Sequence, residues 1–194
     1  VVDFSNAGGL HGLLKFCAGK GSPVVICTTG LDDDDRARIA ESSKEIPILV
    51  SANMSVGINV ILNIVKYAAK ALGNSFDIEI VEKHHSRKAD SPSGTALAIA
   101  DSINSVLDSP RRYVYGRHSS TEGRSKNEIG IHSIRGGNIV GDHSVIFAGS
   151  GEVIEISHSA ISRDVFGVGA LRAAKYICGK QPGLYSMGDA IDIG

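Results

Sequence analysis

Little in this 194-residue chain speaks for nucleic acid, a membrane or a disulfide framework. Its 20 lysines and arginines nearly balance 21 aspartates and glutamates, leaving a net charge of −1. No bulk positive field is present to attract a polyanion. The cysteines number three (Cys17, Cys27, Cys178) and lie far apart, which points to a reducing, cytoplasmic setting rather than a stapled secreted scaffold. No apolar run reads as long enough to span a membrane. No basic stretch leading into an apolar segment opens the chain, so no secretion signal is expected. There is no Cys-x-x-Cys and no His-Glu-x-x-His, and His118, His132, His143 and His158 sit in separate segments. No metal site is expected. What is present is 42% hydrophobic and 21% charged residues, enough for a sizeable globular core, with 23 glycines that imply many tight turns.

The first third alternates short apolar runs with helical stretches. Val1-Val2-Asp3-Phe4 reads as a strand with no lead-in, as if the front of a domain were missing. Val24-Val25-Ile26-Cys27 ends at Thr28-Thr29-Gly30, and residues 32 to 43 form a polar helix with an acidic first turn, favourable against the helix dipole. Ile46-Pro47-Ile48-Leu49-Val50 is the next strand. Such alternation predicts a parallel α/β sheet, with ligands beyond the strand C-termini. Cys27, Thr28, Thr29, Gly30, Ala52, Asn53 and Met54 lie at those ends, where plain turn chemistry and ligand contact are both open. Residues 55 to 72 read as a helix closed by Gly73. Later come three strand-like runs (129–135, 138–148, 152–160) joined by short glycine-containing turns, which predict an antiparallel meander. Between residues 116 and 128 lies a polar, basic segment that reads equally as a connector or a lid. A helix over 165–178 and a tail over 184–193 that returns to the first domain complete the chain. The fold class is α/β: a partial Rossmann-like domain plus an α+β domain with a mixed, largely antiparallel sheet.

The densest chemistry lies in Glu82-Lys83-His84-His85-Ser86-Arg87-Lys88-Ala89-Asp90-Ser91-Pro92-Ser93-Gly94-Thr95-Ala96. Residues 76–82 alternate as a half-buried strand, and 96–107 have helical spacing. Pro92 suits a helix entry, Ser93 or Thr95 can cap it, and Gly94 lets a ligand approach the backbone. The first helix amides favour an anion, and Lys88 adds positive charge. A capped polar turn accounts for Ser93-Gly94-Thr95 alone. Together with two imidazoles, which exchange protons near neutral pH, the segment suits a pocket for a small dianion that is also protonated.

This stretch resembles the signature of the dihydrodipicolinate reductases, Glu-x-His-His-x-x-Lys-x-Asp-Ala-Pro-Ser-Gly-Thr-Ala, with Ser91 in place of the usual alanine. Val2-Asp3-Phe4-Ser5, Cys27-Thr28-Thr29-Gly30 (Cys27 standing for a glycine), Ala52-Asn53-Met54-Ser55-Val56-Gly57, Ser162-Arg163 and Gly183-Leu184-Tyr185-Ser186-Met187 also resemble the family. Asn6-Ala7-Gly8-Gly9 departs from its usual proline-containing run. The resemblance implies reduction of 4-hydroxy-tetrahydrodipicolinate by NADH or NADPH, in the diaminopimelate route to lysine, by a homotetramer. It implies His84 as general acid and Lys88 as a stabiliser of developing charge. His85, Ser93, Gly94, Thr95 and Arg163 would bind substrate carboxylates, with Arg163 closing from a hinge between the domains. Residues 27–30 and 52–54 would contact the nicotinamide half of the cofactor. Residues 1–54 with 164–194 would be the rest of the dinucleotide domain, and 55–163 the substrate and tetramerisation domain. Two other readings stay open: a related NAD(P) oxidoreductase acting on another small acid, and a module that only binds a dicarboxylate and oligomerises.

Overall fold

The computed structural model describes residues 1–191. Along the chain run β1 (Val2–Asp3), α1 (Leu10–Lys20), β2 (Val24–Ile26), α2 (Asp33–Ser42), β3 (Pro47–Val50), α3 (Val56–Leu72), β4 (Asp77–His84) and α4 (Gly94–Asn104). They are followed by β5 (Arg112–Tyr115), β6 (Glu128–Arg135), β7 (Gly141–Ala148), β8 (Val153–Ala160), α5 (Asp164–Ile177), β9 (Gly183–Tyr185) and α6 (Met187–Ile191). The backbone divides into two compact units. One comprises Val1–Asn59 and the segment from Asp164 onward; the other is Val60–Arg163.

The first unit holds a parallel four-stranded sheet in the order β1-β2-β3-β9. Its central strands are apolar on every residue because both faces are covered. Val24, Ile26 and Ile48 pack with Leu10, Leu14 and Cys17 of α1 and Ile39 of α2. Val25 and Leu49 alternate to the other face, and α5 packs on β2 and β3. The start of α2 is set by a capping box, in which Asp32 accepts from the Asp35 amide at 2.9 Å and Asp35 accepts from the Asp32 amide at 3.3 Å. The tail returns to this sheet through β9, as its sequence suggests; its last two positions, 192 and 193, lie outside the described residues. Gly169 of α5 sits directly on the Met54 carbonyl, where a Cβ would come within 1.7 Å of the oxygen. Gly169→Ala must therefore push α5 away from the backbone at Met54, and the expected cost is about 1–3 kcal/mol, read as a lower urea midpoint. An unchanged midpoint would show that this close approach is not needed.

The second unit is built on a mixed sheet in the order β5-β6-β4-β7-β8. β4 alternates strictly, and Ile78, Ile80, Glu82 and His84 point to one buried face. There the isoleucines meet Ile129, Ile131, Val145 and Phe147 from neighbouring strands, Ile61, Val65 and Ala69 of α3, and Ile99 and Ile103 of α4. The expected meander is corrected. β7 and β8 do form an antiparallel hairpin, but β6 does not pair with β7; it runs parallel to β4, and β4 lies between them. A connection of five residues reaches farther than the roughly 10 Å that separates strands on either side of a third, so its brevity did not force a hairpin. It arches over the end of β4, with Gly136 N donating to His84 O at 2.9 Å and Ser86 N to Gly137 O at 3.2 Å.

A second correction concerns α3. With the short helical turn that follows, Val56–Ser75 runs for 20 residues and holds an 18-residue stretch of mean hydropathy 1.2, long and apolar enough by those measures to cross a membrane. Two lysines and three asparagines break up the run and conceal its length in the sequence. Ile61, Val65 and Ala69 nonetheless recur at helical spacing and are buried in the second unit's core, so this is a packed amphipathic helix. The basic segment after Gly116 is tied to the sheet. Arg117 and Arg124 meet Glu79 at 2.8 and 2.9 Å, and Arg124 meets Asp77 at 2.7 Å.

Candidate active site

At its C-terminal end the buried row of β4 changes from isoleucine to Glu82 and His84, so a polar cluster borders the hydrophobic core. Glu82 is completely buried. Arg135 grips it with both terminal nitrogens, each at 2.7 Å, the Ser93 amide donates to it at 3.1 Å, and His84 Nδ1 lies 2.6 Å away. Burial alone would raise the Glu82 pKa, but the hydrogen bonds from Arg135, Ser133, His84 and the Ser93 amide outweigh it and bring the carboxyl down to about 2. It is an anion at every ordinary pH. Because β4 continues through His84, this side chain belongs to the strand and is fixed by the sheet, not by the loop in which the sequence reading placed it.

Ser93 is the N-cap of α4, its hydroxyl accepting from the Ala96 amide at 3.2 Å. The same hydroxyl is 3.0 Å from His143 Nε2. His143 pairs opposite Glu82 across β4 and β7, and its ring meets that of His84 edge-on with centroids 5.2 Å apart. Burial and then the neighbouring His84 lower the His143 pKa to about 4, so it is neutral at pH 7.

The remaining motif residues line the turn that follows. His85 is half-buried, with Nε2 3.4 Å from an Arg163 nitrogen, and burial together with Arg87 and Arg163 lowers its pKa. Lys88 is mostly covered and paired with Asp90 at 2.8 Å, which holds the Asp90 carboxyl below its usual range. Arg135 also donates to the Asp90 carbonyl at 2.7 Å. Gly94 is exposed and Thr95 half-buried at the start of α4. The second unit thus gathers His84, His85, Lys88, Ser93 and Arg163 around one turn. Glu82, Asp90, Arg135 and His143 were given no role from sequence. The alternation of Ile129, Ile131, Ser133 and Arg135 pointed Arg135 inward beside Glu82, and a buried carboxylate needs such a partner.

In the first unit the candidate cofactor residues occupy two adjacent strand ends. Thr28 is buried and donates to Asp3 Oδ2 at 2.6 Å. Cys27 is buried, and burial with the nearby Asp3 pushes its thiol up to about 12, so it is chemically quiet. Thr29 is exposed and Gly30 turns the chain at φ +75°. Across from them, Asn53 Oδ1 accepts from the Ser55 amide at 2.9 Å and shapes the entry to α3. Met54 is buried, while Ala52 is exposed. Thr29, Gly30 and Ala52 are therefore the side chains and backbone free to meet a ligand beyond the strands; Cys27, Thr28 and Met54 support them from behind.

Together these features define an α/β protein with a Rossmann-like unit and a mixed-sheet unit that carries a histidine–carboxylate site. The family model "Dihydrodipicolinate reductase, N-terminus" matches residues 1–54, and "Dihydrodipicolinate reductase, C-terminus" matches residues 57–191. The chain belongs to the dihydrodipicolinate reductase family. It is 60% identical over 194 residues to a 4-hydroxy-tetrahydrodipicolinate reductase of Caldanaerobacter subterraneus subsp. tengcongensis, covering all of this chain and 77% of that protein. It is 54% identical over 187 residues to the Clostridium tetani protein of the same name, covering 96% and 73%. Among solved structures, a dipicolinate-bound dihydrodipicolinate reductase from Paenisporosarcina sp. TG-14 shares the fold with a TM-score of 0.77 at 24% identity, covering the whole chain and 72% of that one.

Proposed function

We propose that this chain reduces 4-hydroxy-tetrahydrodipicolinate to tetrahydrodipicolinate, in the diaminopimelate route to lysine. The substrate, NAD(P)H and one proton give the product, NAD(P)+ and one water. The observation that carries this reading is the placing of His84: a buried carboxylate occupies Nδ1 at 2.6 Å, leaving Nε2 as the nitrogen that can hold a proton for the substrate. NADH or NADPH supplies the hydride. Thr29, Gly30 and Ala52 would meet its nicotinamide half, backed by Cys27, Thr28, Asn53 and Met54. Lys88, His85, Gly94, Thr95 and Arg163 would orient and neutralise the two carboxylates, and Ser93 would hold the helix start that faces them. Names at 54–60% identity support the same activity.

The test is NAD(P)H oxidation with freshly generated hydroxy-tetrahydrodipicolinate, with the Caldanaerobacter relative assayed alongside. Turnover that requires the dicarboxylate and is inhibited by dipicolinate is expected. Turnover by the relative alone would count against the assignment. We further infer a cytoplasmic homotetramer, assembled through the face of the mixed sheet away from α3 and α4. Ile134 and Val153 stand exposed on that face, and three free cysteines suit a reducing compartment. A monomer in sedimentation at assay concentrations would refute the assembly.

A further inference from the structure

We propose that Glu82 is the positioning residue for His84: clamped by Arg135 and the Ser93 amide, it keeps the proton on Nδ1 and leaves Nε2 as the working nitrogen. This rests on the reductase reading above. An ionised carboxylate only accepts hydrogen bonds, so the 2.6 Å contact requires Nδ1 to carry hydrogen. Nε2 is then bare in the neutral ring and protonated in the imidazolium, and it is the one site whose proton can leave. Glu82 itself cannot swing. Both its oxygens are engaged, by the two Arg135 nitrogens at 2.7 Å each, by the Ser93 amide at 3.1 Å and by His84. The His84 side chain keeps 11% of its surface exposed. Its Nε2 edge lies against Gly141, where an added Cβ would stand only 3.0 Å away.

The charged and titratable groups around His84 are Glu82 on its own strand, Arg135 on β6, His143 on β7 and His85 next in the chain, with the capping Ser93 on α4. His143 is not the orienting partner: its ring meets that of His84 edge-on, and its Nε2 lies 3.0 Å from the Ser93 hydroxyl. A carboxylate that orients a histidine is worth about 10–100-fold where such partners have been removed from metal-bound histidines, and a comparable loss is expected here.

The experiment compares Glu82→Gln and the double variant Glu82→Gln/Arg135→Met with the unaltered chain. The double variant leaves no unpaired buried cation, so it guards against simple unfolding. In the unaltered chain, nitrogen NMR of the histidine rings should show neutral His84 with its proton on Nδ1. In both variants this preference should be lost and kcat should fall about 10–100-fold, with KM and dipicolinate affinity nearly unchanged. In the single variant, Arg135 stands uncompensated beside the imidazole, and the alkaline limb of the pH profile should move to lower pH. A neutral wild-type ring with its proton on Nε2, or variants with wild-type kcat and pH limb, would overturn the proposal. If the unaltered chain oxidises no NAD(P)H, the reductase reading fails, and the NMR result still decides the role of Glu82.

Discussion

Replacing His84 with glutamine should lower kcat by about 10²–10⁴-fold and leave KM close to its starting value, because general acid catalysis acts in the transition state and not in substrate binding. Glutamine retains a polar group of similar reach. It can still meet Glu82, so the buried Arg135–Glu82 pair is preserved and the fold should survive. What it cannot do is release a proton at neutral pH. Dipicolinate affinity and the urea midpoint should therefore stay near wild type while turnover collapses. The control is His11→Gln in α1, an exposed ring whose Nδ1 lies 3.1 Å from Arg38. An equal loss of turnover in that variant, or a His84→Gln enzyme with a raised KM and normal kcat, would refute the assignment. In the first case the loss is global; in the second, His84 binds substrate instead of protonating it.

Acidification from pH 7 should destabilise the protein strongly, and the buried pair Glu82 and His143 should account for much of the slope. The two groups act in the same direction for different reasons. Glu82 has its folded pKa depressed from 4.5 to about 2. Its contribution is complete above 4.5 and is lost as pH falls towards 2, because the unfolded carboxylate takes up a proton that the folded one refuses. His143 is a base with its folded pKa depressed from 6.5 to about 4. The unfolded imidazole protonates below 6.5 while the folded one stays neutral, so stability falls between 6.5 and 4 and levels off below that. Each group is worth on the order of 3 kcal/mol across its window, a large share of the 5–15 kcal/mol typical of a whole domain. Asp3, Glu79 and Asp90 are also held low and add to the same trend. Urea unfolding at pH 7, 5.5 and 4 should show a steadily falling midpoint, and His143→Gln should flatten the part above pH 4. A midpoint independent of pH over this range would show that His143 is not held as described; a midpoint that does not fall further between pH 4 and 2 would show the same of Glu82.

Much of the architecture was legible because local rules agreed with one another. The uninterrupted apolar runs of β2 and β3 announced a sheet covered on both faces. Asp32 announced the start of α2, Gly73 closed α3, and the strict alternation of β4 fixed which of its residues face inward. The motif around His84 was readable because its chemistry-bearing residues lie close together in sequence. Ser93 as a cap and Lys88 beside an acidic partner are both local relations.

The rest depends on which strands lie side by side, and no local rule supplies that. Strand order β6-β4-β7 joins segments some fifty to seventy positions apart. It brings Arg135 and His143 to opposite sides of Glu82, with the turn after β6 laid over the end of β4. A five-residue link is compatible with a hairpin and with this arch alike; the choice between them follows from burial of Ile129 and Ile131 beside Ile78 and Ile80, a property of the assembled core. The sequence by itself determined the elements, the family and the residues around His84. Only the tertiary structure decided that Glu82 is fully buried and clamped, that it occupies Nδ1 of His84, and that Nε2 is left for chemistry. The reason is physical: a buried charge takes its pKa and its orientation from partners brought to it through space, and neighbours along the chain do not specify them.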